Sequence, residues 1–425
     1  MTDIVDELRW RGLLAQTTDE DALKKAFADG PVTAYCGFDP TAASLHVGHL
    51  TQVLTLRRLQ LFGHRPIALV GGATGLIGDP KPSAERAMNE VATVETWTDR
   101  IRGQLSAFLD FDGSEPNTAV MANNHDWISQ LSIVEYLRDV GKHFSVNQML
   151  ARETVKSRLA GEGMSYTEFS YVLLQSYDFV ELYRRHGCTL QIGGSDQWGN
   201  ITAGLDLIRR ITGNEPHGQA HALTTNLLTK ADGSKFGKTE GGTVWLDPEL
   251  TTPYAFYQFW LGADDRDVSR YLRTFSFRSR EEIETLERDS AERPAARIGQ
   301  RALAEELTTL VHGADQCTAV VEASKALFGQ GDLTALDEAT LRSAVAELPG
   351  AQLTETPTVV DALVATGLAP SKGAARRTIK EGGAYLNNAK VTDEDAVIAA
   401  TDLLHGRWAL LRRGKRNLAA AEITA

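Results

Sequence analysis

Two histidines stand three residues apart in the segment His46-Val47-Gly48-His49, at the predicted start of a helix. The unpaired N–H groups and the positive dipole end of a helix N-terminus can bind a phosphate, and side chains at this spacing project on the same side. Gly48 removes a side chain, so a flat ring or a phosphate can approach the backbone. The motif therefore indicates phosphate chemistry, although two surface histidines at a helix start would give the same string.

A glycine-rich loop with three lysines, residues 230–242, carries a second candidate chemistry. It is not a P-loop, because only three residues separate Gly233 from Gly237 and that motif needs four. With Lys235 and Lys238 it could close over a polyphosphate and neutralise charge that develops in a transition state. A solvated basic loop is the open alternative.

Glycines also follow two predicted strands, in segments 71–80 and 191–200. Neither segment has the spacing of the dinucleotide fingerprint, so a hydride-transfer enzyme has little support. Lys81 and Arg86 add two cations after the first segment. In the second segment Asp196 could hold a ribose hydroxyl or simply cap the next helix.

Three polar side chains share one face of a further predicted helix, because Tyr171, Gln175 and Asp178 stand at positions i, i+4 and i+7. Polar groups on the inward side of an apolar helix cost free energy unless each finds a partner. The face could therefore bind a small polar ligand, or it could belong to a core helix whose polar tips are satisfied internally.

The elements that must position these groups alternate between β-rich and helical segments, which indicates a Rossmann-like, doubly wound parallel α/β sheet. In such sheets ligands bind at the carboxyl ends of the strands. Tyr35, Gly71 and Gly193 are predicted at such ends, so one crevice could hold all five motifs. The predicted segments are 32–38, 47–62, 66–72, 188–193 and 197–212.

The composition is that of a soluble globular protein. The chain has 425 residues, 44 Lys and Arg against 56 Asp and Glu, a net charge of −12 and 42% hydrophobic residues. A chain of this length forms roughly two to four domains, which excludes a peptide hormone, a toxin or a disordered tail. The longest apolar runs fall far short of the ~20 residues that cross a bilayer, and the first residues are acidic where a targeting segment is basic. We therefore expect a cytoplasmic protein without a membrane partner.

Charge and turn formers divide the chain near residue 350. Residues 351–425 hold ten Lys and Arg against eight Asp and Glu, whereas the rest is strongly acidic. Helical patterns dominate residues 248–335, and turn formers around 348–350 predict a linker over residues 341–356. The alanine-rich stretch 418–421 predicts a frayed terminus. The three cysteines lie far apart, so we expect neither disulfides nor a Cys-x-x-Cys metal clip: Cys36, Cys188 and Cys317.

Taken together, these motifs resemble those of the bacterial tyrosyl-tRNA synthetases, a family of class I aminoacyl-tRNA synthetases. Residues 46–49 resemble the HIGH signature, and Lys235-Phe236-Gly237-Lys238-Thr239 resembles the KMSKS loop. Residues 359–411 resemble a small α+β RNA-binding domain shared with a ribosomal small-subunit protein. The resemblance covers nearly the whole length.

The resemblance implies four groups of site residues. Its tyrosine-binding residues are Tyr35 and Asp178 at the phenol, and Asp79, Tyr171 and Gln175 at the ammonium group. The residues that it implies for ATP and the adenylate are Gly37, Asp39, Gly48, Lys81, Gly193, Asp196 and Gln197. The groups implied at the phosphates and in catalysis are Thr41, His46, His49, Arg86, Lys235 and Lys238. The implied tRNA contacts are Lys372, Arg376 and Arg377.

The resemblance also implies the reaction and the domain plan. The tyrosine carboxylate attacks the α-phosphate of ATP, expels pyrophosphate, and the tyrosyl group then passes to the terminal ribose of tRNA. ATP is a substrate, Mg²⁺ travels on its phosphates, and no tightly bound cofactor or protein metal site is implied. A homodimer would form through an insertion near 125–165. The implied domains are a catalytic domain at 1–225, a loop and helical domain at 226–340, the linker at 341–356 and the RNA-binding domain at 357–424.

Three alternatives stay open at this stage. An adenylyltransferase that acts without tRNA would share the His-x-Gly-His string, but the terminal RNA-binding segment argues against it. A catalytically silent RNA-binding protein would not need the cations or the pair of Tyr35 and Asp178. The same pair disfavours tryptophan as the substrate.

Overall fold

The computed structural model describes residues 3–80, 88–161, 163–213, 219–234, 236–239, 242–354, 357–415 and 417–424. The chain divides into two compact units, one built from residues 1–247 and 264–294 and the other from residues 248–263 and 295–425. Within the described ranges, no helix combines the length and the apolar character needed to cross a membrane.

The chain up to residue 243 alternates helices and strands. In chain order they are α1 (Ile4–Trp10), β1 (Gln16–Thr17), α2 (Glu20–Asp29), β2 (Thr33–Phe38), α3 (Val47–Leu61), β3 (Arg65–Val70), α4 (Val91–Ser106), β4 (Val120–Asn123), α5 (His125–Ile128), α6 (Ile133–Glu135), α7 (Val146–Leu150), α8 (Glu153–Leu159), α9 (Tyr166–His186), β5 (Cys188–Gly194), α10 (Trp198–Thr212), β6 (His221–Thr225), β7 (Lys238–Thr239) and β8 (Gly242–Thr243).

The remaining elements are mostly helical until the terminal sheet. They are α11 (Pro253–Leu261), α12 (Asp265–Phe275), α13 (Arg280–Glu292), α14 (Ile298–His312), α15 (Ala314–Leu327), α16 (Glu338–Ala346), β9 (Gly350–Thr354), α17 (Val359–Ala365), α18 (Lys372–Lys380), β10 (Ala384–Leu386), β11 (Ala389–Lys390), β12 (Trp408–Arg413) and β13 (Asn417–Thr424).

The sheet of the first unit has the order β1-β6-β5-β2-β3-β4, with β1 antiparallel and the other strands parallel. Strands β2 and β3 are buried along almost their whole length, as expected where helices cover both faces of a parallel sheet. The chain proceeds outward from β2 to β4 on one side and from β5 to β6 on the other. The strand order therefore reverses between β2 and β5, and the crevice at such a point is where doubly wound folds bind ligands.

The predicted Rossmann-like fold is confirmed, and the predicted segments match β2, α3, β3, β5 and α10 to within about two residues. Tyr35 is an exception in detail: it lies in the middle of β2 and not at its carboxyl end, which Phe38 forms. Its side chain still lines the crevice.

The second unit ends in a five-stranded sheet of order β11-β10-β12-β13-β9, in which only the pair of β13 and β9 is parallel. Helices α17 and α18 pack on it through a separate apolar core, so the predicted α+β character is confirmed. The predicted linker 341–356 is not structureless, because α16 extends to Ala346 and β9 pairs with β13. The predicted frayed terminus is wrong, because residues 418–421 are buried in β13.

Candidate active site

A cleft of about 440 Å³ opens at the carboxyl ends of β2, β3 and β5 in the first unit. It brings together residues from all five motifs, which confirms that one crevice holds them. Its lining includes fourteen of the predicted site residues: Tyr35, Gly37, Asp39, Thr41, His46, Gly48, His49, Asp79, Tyr171, Gln175, Asp178, Gly193, Asp196 and Gln197.

The deep end of the cleft holds a buried acid and a buried phenol. Asp178, on α9, accepts a hydrogen bond from Trp127 Nε1 at 2.8 Å on Oδ1 and one from Asn124 Nδ2 at 3.0 Å on Oδ2. Tyr35 is only 1% exposed, and its hydroxyl has no hydrogen-bond partner among the described residues. A buried hydroxyl without a partner costs free energy, so this end of the cleft is complementary to a ligand that carries its own hydroxyl group.

Burial dominates the titration of both groups. It raises the pKa of Asp178 to about 8, although the hydrogen bonds from Asn124 and Trp127 oppose the shift. Burial also raises the pKa of Tyr35 well above its usual value, and the charge of Asp178 adds to that effect. An acid that titrates near neutrality inside a cleft is typical of a functional site.

A hydrogen-bonded chain runs from this end of the cleft toward Asp39. Asn124 Nδ2 also donates to Thr74 Oγ1 at 2.8 Å, and Thr74 donates to Asp39 Oδ1 at 2.7 Å. Tyr171 donates to Asp39 Oδ2 at 2.7 Å. Gly71 is required beside this acid, because a Cβ atom there would lie 2.0 Å from Asp39 Oδ1.

A second acid, Asp79, lies beside α10. Its Oδ2 accepts from Gln197 Nε2 at 2.9 Å, and its Oδ1 accepts from Asn200 Nδ2 at 3.2 Å. Gln175 also lines the cleft, and its buried Oε1 has no partner within the described part of the chain. The predicted ammonium site therefore contains an acid held by two amide groups and an unused amide oxygen.

The two histidines cap the start of α3 through their own side chains. Gly48 N donates to His46 Nδ1 at 3.0 Å, and His46 N donates to His49 Nδ1 at 3.1 Å. The rings stack with centroids 3.9 Å apart. Because each Nδ1 accepts a backbone hydrogen, the ring hydrogen of each histidine lies on Nε2. Gly48 is needed for the cap, since a Cβ there would lie 2.8 Å from His46 Cε1.

His49 acts as a neutral group. Burial lowers its pKa to about 3, and the neighbouring His46 contributes to the shift. If His49 faces a phosphate as predicted, it would therefore act as a neutral N–H donor and not as a cation.

The glycine-rich loop with three lysines lies against the start of α3 within the first unit. Val47 N donates to Val244 O at 3.0 Å, and Val244 N donates to Gly237 O at 3.0 Å. Phe236 lines the cleft and packs against Tyr271 and Phe275, with ring centroids 5.1 and 5.5 Å away. The aromatic contacts anchor the loop between its lysines.

Several predicted residues fall elsewhere. Lys81, Arg86 and Lys235 lie outside the described residues, as does the side chain of Lys238. Asp196 lines the cleft but does not cap α10, whose N-cap is Gln197 without a side-chain cap. The predicted tRNA contacts belong to the second unit, on α18, where all three are exposed and Lys372 pairs with Asp361 at 2.7 Å: Lys372, Arg376 and Arg377.

Sequence reasoning missed the residues that support the site. Asn124 and Trp127 hold Asp178 and belong to no predicted motif, whereas Thr74, which donates to Asp39, lies in the predicted segment 71–80 but was not predicted as a site residue. Thr74 and Asn124 do follow the strands β3 and β4, so the rule that sites form at carboxyl strand ends could have found them. Trp127 has no comparable signal. Within the described residues, no group of three or more His, Cys, Asp and Glu side chains is arranged to hold a metal ion.

Comparison with known families matches both parts of the chain. The family model of the class I tRNA synthetases (W and Y) matches residues 28–329. The family model of the Tyrosine--tRNA ligase SYY-like C-terminal domain matches residues 340–420.

Individual relatives agree with these matches. The chain is 70% identical to the Tyrosine--tRNA ligase of Thermobifida fusca (strain YX), over 98% of this chain and 99% of the relative. It is 68% identical to the Tyrosine--tRNA ligase of Streptomyces coelicolor, over the full length of both. Among solved structures, a C-terminally truncated mitochondrial tyrosyl-tRNA synthetase of Aspergillus nidulans superposes with a TM-score of 0.69 and 31% identity, covering 77% of this chain and 95% of that one.

Proposed function

The chain belongs to the class I tRNA synthetases of the tryptophan and tyrosine group, and on this premise we propose how its cleft performs the reaction of the family. The activity is that of a tyrosine--tRNA ligase. The first step converts tyrosine and ATP to tyrosyl-adenylate and pyrophosphate. The second step transfers the tyrosyl group to the 3′-terminal ribose of the tRNA.

The observation that carries the choice of substrate is the pair of buried groups at the deep end of the cleft. Tyr35 offers a hydroxyl that lacks a partner, and Asp178 offers carboxylate oxygens fixed by Trp127 and Asn124. A bound phenol would donate to Asp178 and accept from Tyr35. Phenylalanine would leave the Tyr35 hydroxyl buried without a partner and would offer Asp178 no donor. Such sites reject the analogue that lacks the hydroxyl, and tyrosyl-tRNA synthetases are themselves the standard illustration of this rule.

At the other end of the substrate we place the ammonium group against Asp79, Tyr171 and Gln175. Asp79 supplies the charge and the Gln175 Oε1 atom supplies an acceptor that is otherwise unused. Tyr171 presently donates to Asp39, so its oxygen can still accept from the ammonium group. A charge-assisted hydrogen bond of this kind is stronger than a neutral one.

ATP occupies the part of the cleft near α3. Asp196 holds the ribose and the Nε2 atoms of His46 and His49 face the phosphates. The backbone approaches the nucleotide at three glycines, which are Gly37, Gly48 and Gly193. The remaining groups that we assign to the adenylate and the phosphates are Asp39, Thr41, Lys81, Arg86, Gln197, Lys235 and Lys238. Mg²⁺ enters on the ATP phosphates, because this ion keeps several waters and binds with substrate phosphates in such sites.

The chemistry needs no protein nucleophile. The tyrosine carboxylate attacks the α-phosphate in line and pyrophosphate leaves, while donors fixed beforehand stabilise the charge that develops on the phosphate oxygens. The two histidines suit this task because their mutual cap holds both rings before ATP binds.

Beyond the cleft we propose two macromolecular partners in the cytoplasm. The tRNA binds α18 through Lys372, Arg376 and Arg377. A second copy of the chain covers the apolar side chains of the insertion, where Ile133 and Val134 are 78% and 70% exposed. Sedimentation at micromolar concentration should give a dimer, and Ile133→Asp should shift it to monomer.

The activity is tested by exchange of labelled pyrophosphate into ATP with each standard amino acid in turn. Exchange driven by tyrosine, with none from tryptophan or phenylalanine, is expected. Charging of tRNA by tyrosine should follow in the same preparation. Exchange with tryptophan, or with no amino acid in folded protein, contradicts the assignment.

A further inference from the structure

A hydrogen-bonded path leads from the insertion to the acid Asp79. Arg152 precedes α8, and its Nη1 donates to Asn200 Oδ1 at 3.0 Å while its Nη2 donates to Gly199 O at 2.8 Å. Asn200 Nδ2 then donates to Asp79 Oδ1 at 3.2 Å and to Gln197 Oε1 at 3.1 Å. Gln197 Nε2 completes the path by donating to Asp79 Oδ2 at 2.9 Å.

The path has a fixed direction because arginine is a donor only. The guanidinium of Arg152 can bond only to the oxygen of the Asn200 amide, so the NH2 group of Asn200 must face the other way. That NH2 group in turn requires the oxygen of Gln197, which turns the Gln197 NH2 group toward Asp79. One arginine thereby orients two amides, and both present N–H groups to the same carboxylate.

The surroundings make this orientation matter. Burial lowers the pKa of Arg152, and the charge of Asp79 opposes that shift, so the two side chains are also coupled electrostatically. Asp79 and Gln197 line the cleft, whereas Arg152 lies outside it and lines a separate, smaller cavity beside α10. Without the arginine, the Asn200 amide could rotate and place its oxygen against the carboxylate.

We propose that Arg152 and Asn200 are positioning residues for substrate binding: they hold the carboxylate of Asp79 in the orientation that receives the ammonium group of tyrosine. This inference rests on the proposed function, which places Asp79 at that group. Neither residue touches the substrate, and the phenol end of the cleft does not depend on them.

The test is binding of three ligands to the full chain by calorimetry without ATP. Tyrosine has the ammonium group and the phenol, tyramine lacks only the carboxylate, and 3-(4-hydroxyphenyl)propionate lacks only the ammonium group. Arg152→Met should weaken the binding of tyrosine and of tyramine about three- to tenfold, which is the range for losing one oriented hydrogen bond. It should leave 3-(4-hydroxyphenyl)propionate unchanged, and Arg152→Lys should restore most of the loss because lysine keeps a donor and the charge.

Arg210→Met is the matched control. Arg210, on α10, also bonds to a backbone carbonyl of the insertion, that of His143, but no side-chain hydrogen bond between described residues links it to Asp79. If looser packing of the insertion were the cause, Arg210→Met would reproduce the effect. In addition, Arg152→Met should add little in an Asn200→Ala background, because residues on one path are not additive.

Three results would overturn the proposal. Equal weakening of all three ligands by Arg152→Met would indicate a general structural role, and a matching effect of Arg210→Met would do the same. If Asp79→Asn leaves tyramine binding unchanged, Asp79 does not hold the ammonium group, and the hydrogen-bonded path from Arg152 then has no role in substrate binding. Absence of tyrosine binding to the unsubstituted chain would instead contradict the proposed function itself.

Discussion

The cleft and helix α18, for which we propose tRNA binding, present their polar groups in opposite ways. In the cleft, Tyr35 and Asp178 are buried, and burial shifts the pKa of each upward. On α18, Arg376 and Arg377 are exposed to solvent, and Lys372 pairs with Asp361 at the surface. The polar groups of the two regions therefore lie in very different dielectric environments.

The difference in burial suits the cleft to selecting one substrate and suits α18 to a general attraction for a charged partner. A buried group without a partner costs its full desolvation energy, so the cleft can discriminate by a single hydroxyl. An exposed cation is screened by water and salt, so each one on α18 contributes little alone and several must act together. Single substitutions should accordingly have large effects in the cleft and small, salt-dependent effects on α18.

The largest effect is expected for Asp178→Ala. The change removes the acceptor for the phenol, leaves Trp127 Nε1 without its acceptor and leaves Asn124 Nδ2 with Thr74 as its one remaining acceptor among the described residues. We expect kcat/KM for tyrosine in pyrophosphate exchange to fall at least ~1000-fold, since several buried hydrogen bonds are lost together. Asp206→Ala, which removes an exposed acid from α10, should leave exchange unchanged. A loss of less than tenfold for Asp178→Ala would contradict the role of this acid.

The second effect is a pH dependence of tyrosine binding. Burial raises the pKa of Asp178 to about 8 in the free protein, so below that pH most molecules carry the neutral acid and lack the ionised acceptor. The dissociation constant of tyrosine should therefore fall with rising pH, about tenfold per unit well below pH 8, and level off above it. Calorimetry between pH 5.5 and 8.5 measures this. A flat profile would contradict this prediction, because it would mean that tyrosine binding does not change the protonation of Asp178 in this range.

A smaller loss is expected for Gly48→Ala. The new Cβ would lie 2.8 Å from His46 Cε1 and push that ring away from His49. Adenylate formation should slow about tenfold, because one preorganised donor to the phosphates is misplaced, while tyrosine affinity stays constant. Gly103→Ala is the control: Gly103 lies in α4 and a Cβ there meets no atom within 4 Å. Full activity of Gly48→Ala would show that the histidine cap is not needed.

The smallest effects are expected on α18. Arg376→Ala or Arg377→Ala should raise KM for tRNA about two- to fivefold, and the difference from the parent should shrink as salt rises. Pyrophosphate exchange without tRNA should not change. Arg342→Ala, on the exposed side of α16, should leave KM for tRNA unaltered. A rise in KM for tRNA of more than about a hundredfold in either α18 variant would contradict the expected difference between α18 and the cleft.

The sequence predicted what depends on local patterns. Alternating segments predicted β2, α3 and β3, and strand-end glycines located the crevice. The periodicity of α9 put Tyr171, Gln175 and Asp178 on one face, and all three line the cleft. These features could be read because helix and strand periods depend on neighbouring residues only.

What the sequence did not predict depends on pairing between distant residues. Trp127 and Asn124 reach Asp178 from the start of α5, some fifty residues earlier in the chain. The edge strand β9 looked like a linker because its parallel partner β13 lies at the other end of the domain. The alanines of β13 gave no strand signal, since alanine has low β propensity and is accommodated here by packing.

The central claim is that two buried groups select the phenol, and Tyr35→Phe tests it most directly. The ratio of kcat/KM for tyrosine to that for phenylalanine is measured in pyrophosphate exchange for the parent and the variant. We predict that the ratio falls about tenfold or more, because the variant loses a hydrogen bond to tyrosine and no longer buries an unpaired hydroxyl beside phenylalanine. An unchanged ratio would contradict the account, because the hydroxyl of Tyr35 would then take no part in the selection.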